Sequence, residues 1–196
     1  MVDSRLTLTN RTYLYNNSRF GTKYPDSKLW CPTGKYINGI WNLGNDYSND
    51  TKFYGQYPRS YLPRITTLFP DCQDILHLFS GAIPIGPYTR CDMIQSAELQ
   101  CDAHQLSKHV QSCFDIIYSD PPYGSEDATK YGTPMINRKA IVHECYEALR
   151  PNGFLVWLDT RYPMFRKIEF TICGYIGIIR STNHRYRIAA IFQRKP

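Results

Sequence analysis

The sequence predicts an α/β domain built on a mostly parallel sheet with an antiparallel hairpin at one edge. Three observations carry this expectation. Short apolar runs at 75–81, 88–92, 98–103, 114–119 and 154–158 end at or beside a glycine or an acid, as strands do when they lead into a functional loop. A helical pattern at 136–150 separates the last two, as a parallel crossover requires. Two further β-rich runs, 172–179 and 186–193, are joined by Ser181-Thr182-Asn183-His184, a natural closing hairpin.

Taken in order, residues 1–56 are rich in Asn, Thr, Ser, Gly and Tyr and lack sustained periodicity. They read as an irregular segment, anchored at Leu29-Trp30 and Ile40-Trp41, that covers a substrate or cofactor; residues 57–196 form the domain proper. In 58–69 the apolar residues Tyr61, Leu62, Ile65, Leu68 and Phe69 recur at helical spacing, with Pro63 in an early turn, so a short helix is expected. Ile75-Leu76-His77-Leu78-Phe79-Ser80-Gly81 is the first strand of the parallel sheet and its turn. Two acid-ended strands follow, closing on Asp92 and Asp102. Eight residues from Gly81 to Tyr88, and five from Met93 to Ala97, are too few for a crossover helix, which needs about a dozen. The 136–150 helix puts Ile136, Ala140, Ile141, Cys145 and Leu149 on one face and is stopped by Pro151-Asn152-Gly153.

Composition narrows the function classes. At 196 residues and 42% hydrophobic content the chain holds one well-cored domain and little room for a separate recognition domain. A net charge of +6 and an isoelectric point about 8.9 suit a nucleic-acid partner. The 16 tyrosines interleave with basic residues, as in Lys52-Phe53-Tyr54-Gly55-Gln56-Tyr57-Pro58-Arg59 and Asn183-His184-Arg185-Tyr186-Arg187, a pattern that suits base stacking and equally suits core tyrosines with snorkelling neighbours. Seven cysteines, an odd set without a Cys-x-x-Cys pair, point to a reduced intracellular chain. Cys101, His104, His109 and Cys113 are zinc-ligand types, but their central gap is far shorter than zinc fingers use, and no metal is expected. No apolar stretch approaches 18 residues and the N-terminus is polar, so a cytoplasmic protein without a membrane partner is expected.

The most informative residues are Asp120-Pro121-Pro122-Tyr123-Gly124, directly after the apolar run 114–119. Two prolines forbid helix and fix an extended turn, so the carbonyls around Asp120 and Pro121 are aimed. An exocyclic base amine is a poor nucleophile because its lone pair is delocalised into the ring. A carboxylate and a carbonyl, both acceptors, can hold its two N–H groups and favour the positive charge that develops on attack, while Tyr123 offers a flat face to the base.

With Phe79-Ser80-Gly81, Asp92, Asp102-Ala103 and Ala148-Leu149-Arg150-Pro151-Asn152-Gly153 in this order, residues 75–193 resemble the Rossmann-like S-adenosylmethionine-dependent DNA amino-methyltransferases, especially their compact phage and prokaryotic members. The resemblance implies a class I methyltransferase sheet, here with shortened connections after its first and second strands. It implies S-adenosyl-L-methionine as cofactor, with Phe79, Ser80 and Gly81 at the methionine end, Asp92 on the ribose, Asp102 and Ala103 at the adenine, Asp120 as a contact shared with the catalytic loop, and Tyr57 and Pro58 as a further contact. Asp120, Pro121, Pro122 and Tyr123 would be the catalytic residues. DNA is the implied partner and adenine N6 the implied target, with cytosine N4 its sibling. The target base would be flipped or single-stranded, and the loop at 125–137 would close over it. No Pro-Cys motif serves a cytosine-C5 reaction, and Asp120 stands where protein glutamine methyltransferases have Asn. An RNA base amino-methyltransferase and a non-catalytic nucleic-acid-binding module of the same fold are the alternatives. Target recognition falls to the N-terminal 50 residues, the loop after Gly124, or a partner subunit.

Overall fold

The computed structural model describes residues 5–43, 57–58, 60–179 and 186–196. Helices α1 (Leu8–Asn17) and α2 (Arg19–Lys23) precede strand β1 (Ile37–Asn42), and helix α3 (Tyr61–Ile65) leads to strands β2 (Ile75–Leu78) and β3 (Thr89–Cys91). Strand β4 (Phe114–Ser119), helices α4 (Ser125–Tyr131) and α5 (Arg138–Ala148), and strands β5 (Leu149–Asp159), β6 (Phe170–Ile179) and β7 (Tyr186–Arg194) complete the chain. The strands form one seven-stranded sheet in the order β1-β6-β7-β5-β4-β2-β3. All neighbours are parallel except β7, which is antiparallel to both β5 and β6. This is the mostly parallel sheet with a C-terminal antiparallel hairpin that the sequence predicts; the hairpin's loop, including Ser181-Thr182-Asn183-His184, lies outside the described residues, as does most of the 52–59 aromatic-basic run.

Strand alternation sends residues to two cores. Ile116 and Tyr118 of β4 and Phe154, Val156 and Leu158 of β5 face Tyr15, Trp41, Tyr61 and Ile65. Ile117, Leu155 and Trp157 face Ile141, Val142 and Cys145 of α5 and Leu106 of the 3-10 turn Ala103–Lys108. The molecule therefore has three layers, helix, sheet and helix.

The first of those layers corrects the expectation for residues 1–56, which is not irregular over its described part. Helix α1 is capped by Thr7, whose hydroxyl accepts from the Asn10 amide, and β1 adds a parallel strand beyond β6, Ile37 opposite Gly174 through Asn42 opposite Ile179. Of the expected anchors, Leu29 and Trp41 are buried, whereas Trp30 and Ile40 are exposed. Arg11 has no solvent exposure. It pairs with Asp71 at 2.6 and 2.7 Å and lies over the Phe69 and Phe154 rings, which fastens α1 to the sheet. The N-terminal segment thus supplies a layer that crossover helices would otherwise supply, since none fits between β2 and β3.

Tyrosines fill that layer. Tyr15 stacks on Trp41, Trp41 meets Tyr61 edge-on, Tyr61 stacks on Tyr57, and Tyr57 meets His77, which stacks on Tyr118. Four tyrosines, Tyr15, Tyr57, Tyr61 and Tyr118, are thus core residues.

The 58–69 helix is one turn of α-helix and a 3-10 turn, Thr66–Leu68. The expected strand at 98–103 is a single bridge from Leu99 to Cys91. Helix α5 ends at Ala148, and Pro151-Asn152-Gly153 lies inside β5, with Asn152 at φ 63° absorbing the irregularity. The 125–137 loop holds α4, closed by Gly132 in the left-handed conformation. No helix among the described residues is long and apolar enough to cross a membrane.

Candidate functional site

Strand β2 continues to β3 on one side, and the chain returns as β4 on the other. At that reversal the carboxyl ends of neighbouring strands part, which is where open α/β sheets leave a crevice. A cavity of about 370 Å³ lies there. Phe79, Gly81, Asp92, Asp102, Ala103, Asp120 and Pro122 all line it.

The turn after β2 is built to hold an unusual backbone. Phe79 has φ 60° and Gly81 φ 54°, the left-handed region that costs a non-glycine residue about 1 kcal/mol or more. Neighbours fix it: the Ser80 amide donates to the Cys91 carbonyl at 3.1 Å, and the Gly81 amide donates to Oδ2 of Asp92 at 2.9 Å. The other oxygen of Asp92 accepts the amides of Ile94 and Gln95, both at 2.9 Å. One carboxylate thereby ties the turn after β2 to the turn after β3.

Asp102 caps the turn Ala103–Lys108 by accepting the His104 amide at 2.9 Å. It also meets Nδ1 of His104 at 2.8 Å, while Nε2 of His104 accepts the Asn137 amide at 3.0 Å. The second contact fixes the tautomer: Nδ1 carries the proton and donates it to Asp102. His104 so links the cavity wall to the start of α5. Among the described residues, Cys101, His104, His109 and Cys113 do not gather: the Cys101 thiol lies 3.5 Å from Cys91, and no group of three or more His, Cys, Asp or Glu is placed to hold a metal ion.

Asp120 follows β4 and its amide reaches the Leu78 carbonyl. Burial pushes its carboxyl up to about 7; the Tyr123 hydroxyl and the Arg187 charge oppose that, while Asp159 and Asp127 add to it. The loop behind it is clamped by Arg138. Its Nη2 donates to the carbonyls of Pro122 and Tyr123 at 3.3 and 2.9 Å, and its Nε pairs at 2.7 Å with Asp159, which has no solvent exposure. Such a clamp keeps the motif's backbone in one conformation before any ligand arrives.

Other expected site residues stand back from the cavity. Tyr57 is a core residue whose hydroxyl donates to the Tyr118 carbonyl at 3.0 Å, and Pro58 is buried beside it. Ser80 and Pro121 are buried and do not line the wall. Tyr123 turns its hydroxyl inward to Asp120 and carries the Arg187 guanidinium over its ring, 5.0 Å from the centroid, so it is not an open stacking face.

Sequence reasoning missed Met93, Ile94 and Gln95, which form one lip; the other, Lys130, Tyr131, Thr133, Pro134 and Ile136, falls within the 125–137 loop expected to close over the base. Met93 and Ile94 are exposed apolar residues directly after an acid-ended strand, a signal that was present. The second lip comes from α4 and the stretch after it, which carry no periodic pattern.

No protein-family model and no curated protein matches the chain. Among solved structures it is similar to TrmN from Thermus thermophilus at 14% identity and a TM-score of 0.46, over 62% of this chain and 44% of that one. The chain thus spans less than half the length of that protein.

Proposed function

We propose that the protein is an S-adenosylmethionine-dependent methyltransferase acting on an exocyclic base amine of DNA, with adenine N6 as target. The observation that carries this reading is the convergence of Asp120 and Pro122 with Phe79, Gly81, Asp92, Asp102 and Ala103 on one cavity at the reversal of the sheet.

The donor set fits the cofactor. An ionised carboxylate offers about four acceptor positions, and the described bonds of Asp92 use three, two on Oδ1 and one on Oδ2, leaving capacity on Oδ2 for ribose hydroxyls. The described bonds of Asp102 engage Oδ1, so its Oδ2 can accept an adenine amino group between the apolar walls of Met93, Ile94, Ala103 and Ile136. Asp120 offers an anion to a sulfonium. When bound, the cofactor supplies an electrophilic methyl group.

The chain's own residues do the rest. Asp120 as carboxylate accepts one N–H of the target amine and stabilises the positive charge that grows on nitrogen. Arg138 and the two prolines keep the loop that carries this acceptor fixed, so little reorganisation is needed at the moment of reaction. Asp120 is also the nearest base for the proton the nitrogen sheds.

The test is transfer of labelled methyl from S-adenosylmethionine to duplex DNA, single-stranded DNA and RNA in parallel, with product nucleosides identified by mass spectrometry and Asp120→Ala as control. N6-methyladenine in DNA, absent with Asp120→Ala, is the expected result. N4-methylcytosine moves the target base, label in RNA alone moves the substrate, and no label together with no cofactor binding leaves a non-catalytic module.

A further inference from the structure

Arg187 has no place in the reading above, yet its surroundings are costly. It is the second residue of β7, opposite Ile178, and is 6% exposed. Its Nε and Nη1 atoms have no hydrogen-bond partner, and no carboxylate pairs with it among the described residues. A buried guanidinium without a counter-ion is unfavourable, and unlike a lysine it cannot discharge by losing a proton.

Its neighbours give the charge a purpose. The guanidinium carbon stands 5.0 Å from the centre of the Tyr123 ring, and the Tyr123 hydroxyl donates to Oδ1 of Asp120 at 2.5 Å. The other groups that act on Asp120 are Asp159 from β5 and Asp127 from α4, while the Asp120 charge in turn raises the phenols of Tyr57 and Tyr61. Asp159 is paired with Arg138. Arg187 is therefore the cation directed at the Asp120 and Tyr123 pair.

We propose that Arg187 is a positioning residue: its permanent charge, passed on through Tyr123, keeps Asp120 in the acceptor-only form that can take an N–H of the target amine. The clause naming the amine rests on the methyltransferase reading; the electrostatic arrangement does not. The direction of its influence on the carboxyl agrees, since the Arg187 charge pulls Asp120 down against burial.

The test is the titration of the Asp120 carboxyl in the ligand-free protein, followed by carbon-13 NMR and assigned with Asp120→Asn. In Arg187→Met the midpoint is expected to rise by one pH unit or more. Arg187→Lys, which keeps the charge, should restore most of the shift, and Tyr123→Phe should raise the midpoint by removing the hydroxyl donor. An unmoved midpoint in folded Arg187→Met overturns the proposal; should that variant not fold, an unmoved midpoint in Tyr123→Phe overturns it. A role in packing alone would move stability and leave the titration where it is. Titration that moves while wild-type protein transfers no methyl group upholds Arg187 and removes the methyltransferase reading. Methyl transfer with a fixed midpoint does the reverse.

Discussion

The Tyr123 hydroxyl donates to Oδ1 of Asp120 across three residues of one loop, at 2.5 Å. The two side chains of the motif therefore face each other, and Asp120 also lines the cavity. A loop that uses one carboxylate oxygen internally fixes where the other points, which a free aspartate at a strand end does not.

Methyl transfer should rise with pH through about 7, where Asp120 loses its proton. Below that pH the carboxyl is a donor and competes with the amine's own hydrogens. The check is the pH profile of kcat/KM, with Asp120→Ala abolishing transfer while retaining cofactor binding. A profile flat from pH 5.5 to 8.5 would remove Asp120 from the chemistry.

Stability between pH 4 and 7 is set in part by two opposed groups. Burial lowers His77 from 6.5 to about 4, so the unfolded chain takes up that proton first and stability is lost as pH falls through this window. Burial raises Asp120 from 3.8 to about 7, so its contribution is present at low pH and lost as pH rises through 7. The His77 contribution is at most about 3 kcal/mol and the Asp120 contribution at most about 4 kcal/mol, and the two largely cancel. Relative to wild type, His77→Phe should gain stability as pH falls from 6.5 to 4, and Asp120→Asn should gain it as pH rises from 4 to 7. Urea denaturation across pH 4 to 7.5 reads both slopes.

Arg11→Met should destabilise the fold by about 3 to 5 kcal/mol, because it breaks a guanidinium pair with Asp71 on a side chain with no exposure. Denaturant midpoints measure the loss. A change below about 1 kcal/mol would mean that α1 is held by apolar contacts alone.

Gly174→Ala should detach β1 from β6. A Cβ at that position would stand 2.4 Å from the Ile37 carbonyl oxygen, a backbone atom that cannot swing aside. Hydrogen exchange should show lost protection at 37–42 while β4 and β5 keep theirs, with an overall cost of about 1 to 3 kcal/mol.

Two acids on the cavity wall should separate by their variants. Asp102→Ala should weaken S-adenosylmethionine binding about tenfold, or about 1.4 kcal/mol, with a small change in Tm, since its carboxylate is 44% exposed. Asp92→Ala should lower both affinity and Tm, because three backbone amides lose their acceptor. Calorimetry and thermal melts on the same samples make the comparison.

The strands were readable where a short apolar run ends in a residue that must do something else, as at Leu78-Phe79 and Ser119-Asp120. The N-terminal layer was not, because the face that α1 buries includes Arg11 and Thr12 beside Tyr15, and a buried arginine erases the apolar stripe by which a helix is recognised. The bridge at Leu99 replaced an expected strand because, among the described residues, no partner strand lies beyond it to continue the ladder. At the site, strand-end acids were legible from position, whereas the Arg138 clamp was not: Arg138 and Asp159 lie 21 residues apart and meet only because α5 and β5 run back to back.

The edge strand β1 has a consequence for the order in which this protein is made. Its partner residues, 174–179, leave the ribosome 137 residues later, and Trp41 and Tyr15 share a core with Ile176, Ile178, Ala189 and Ile191. Tyr15 and Trp41 must therefore wait in the open until residues 176–191 have been added, so this core closes late relative to the emergence of α1.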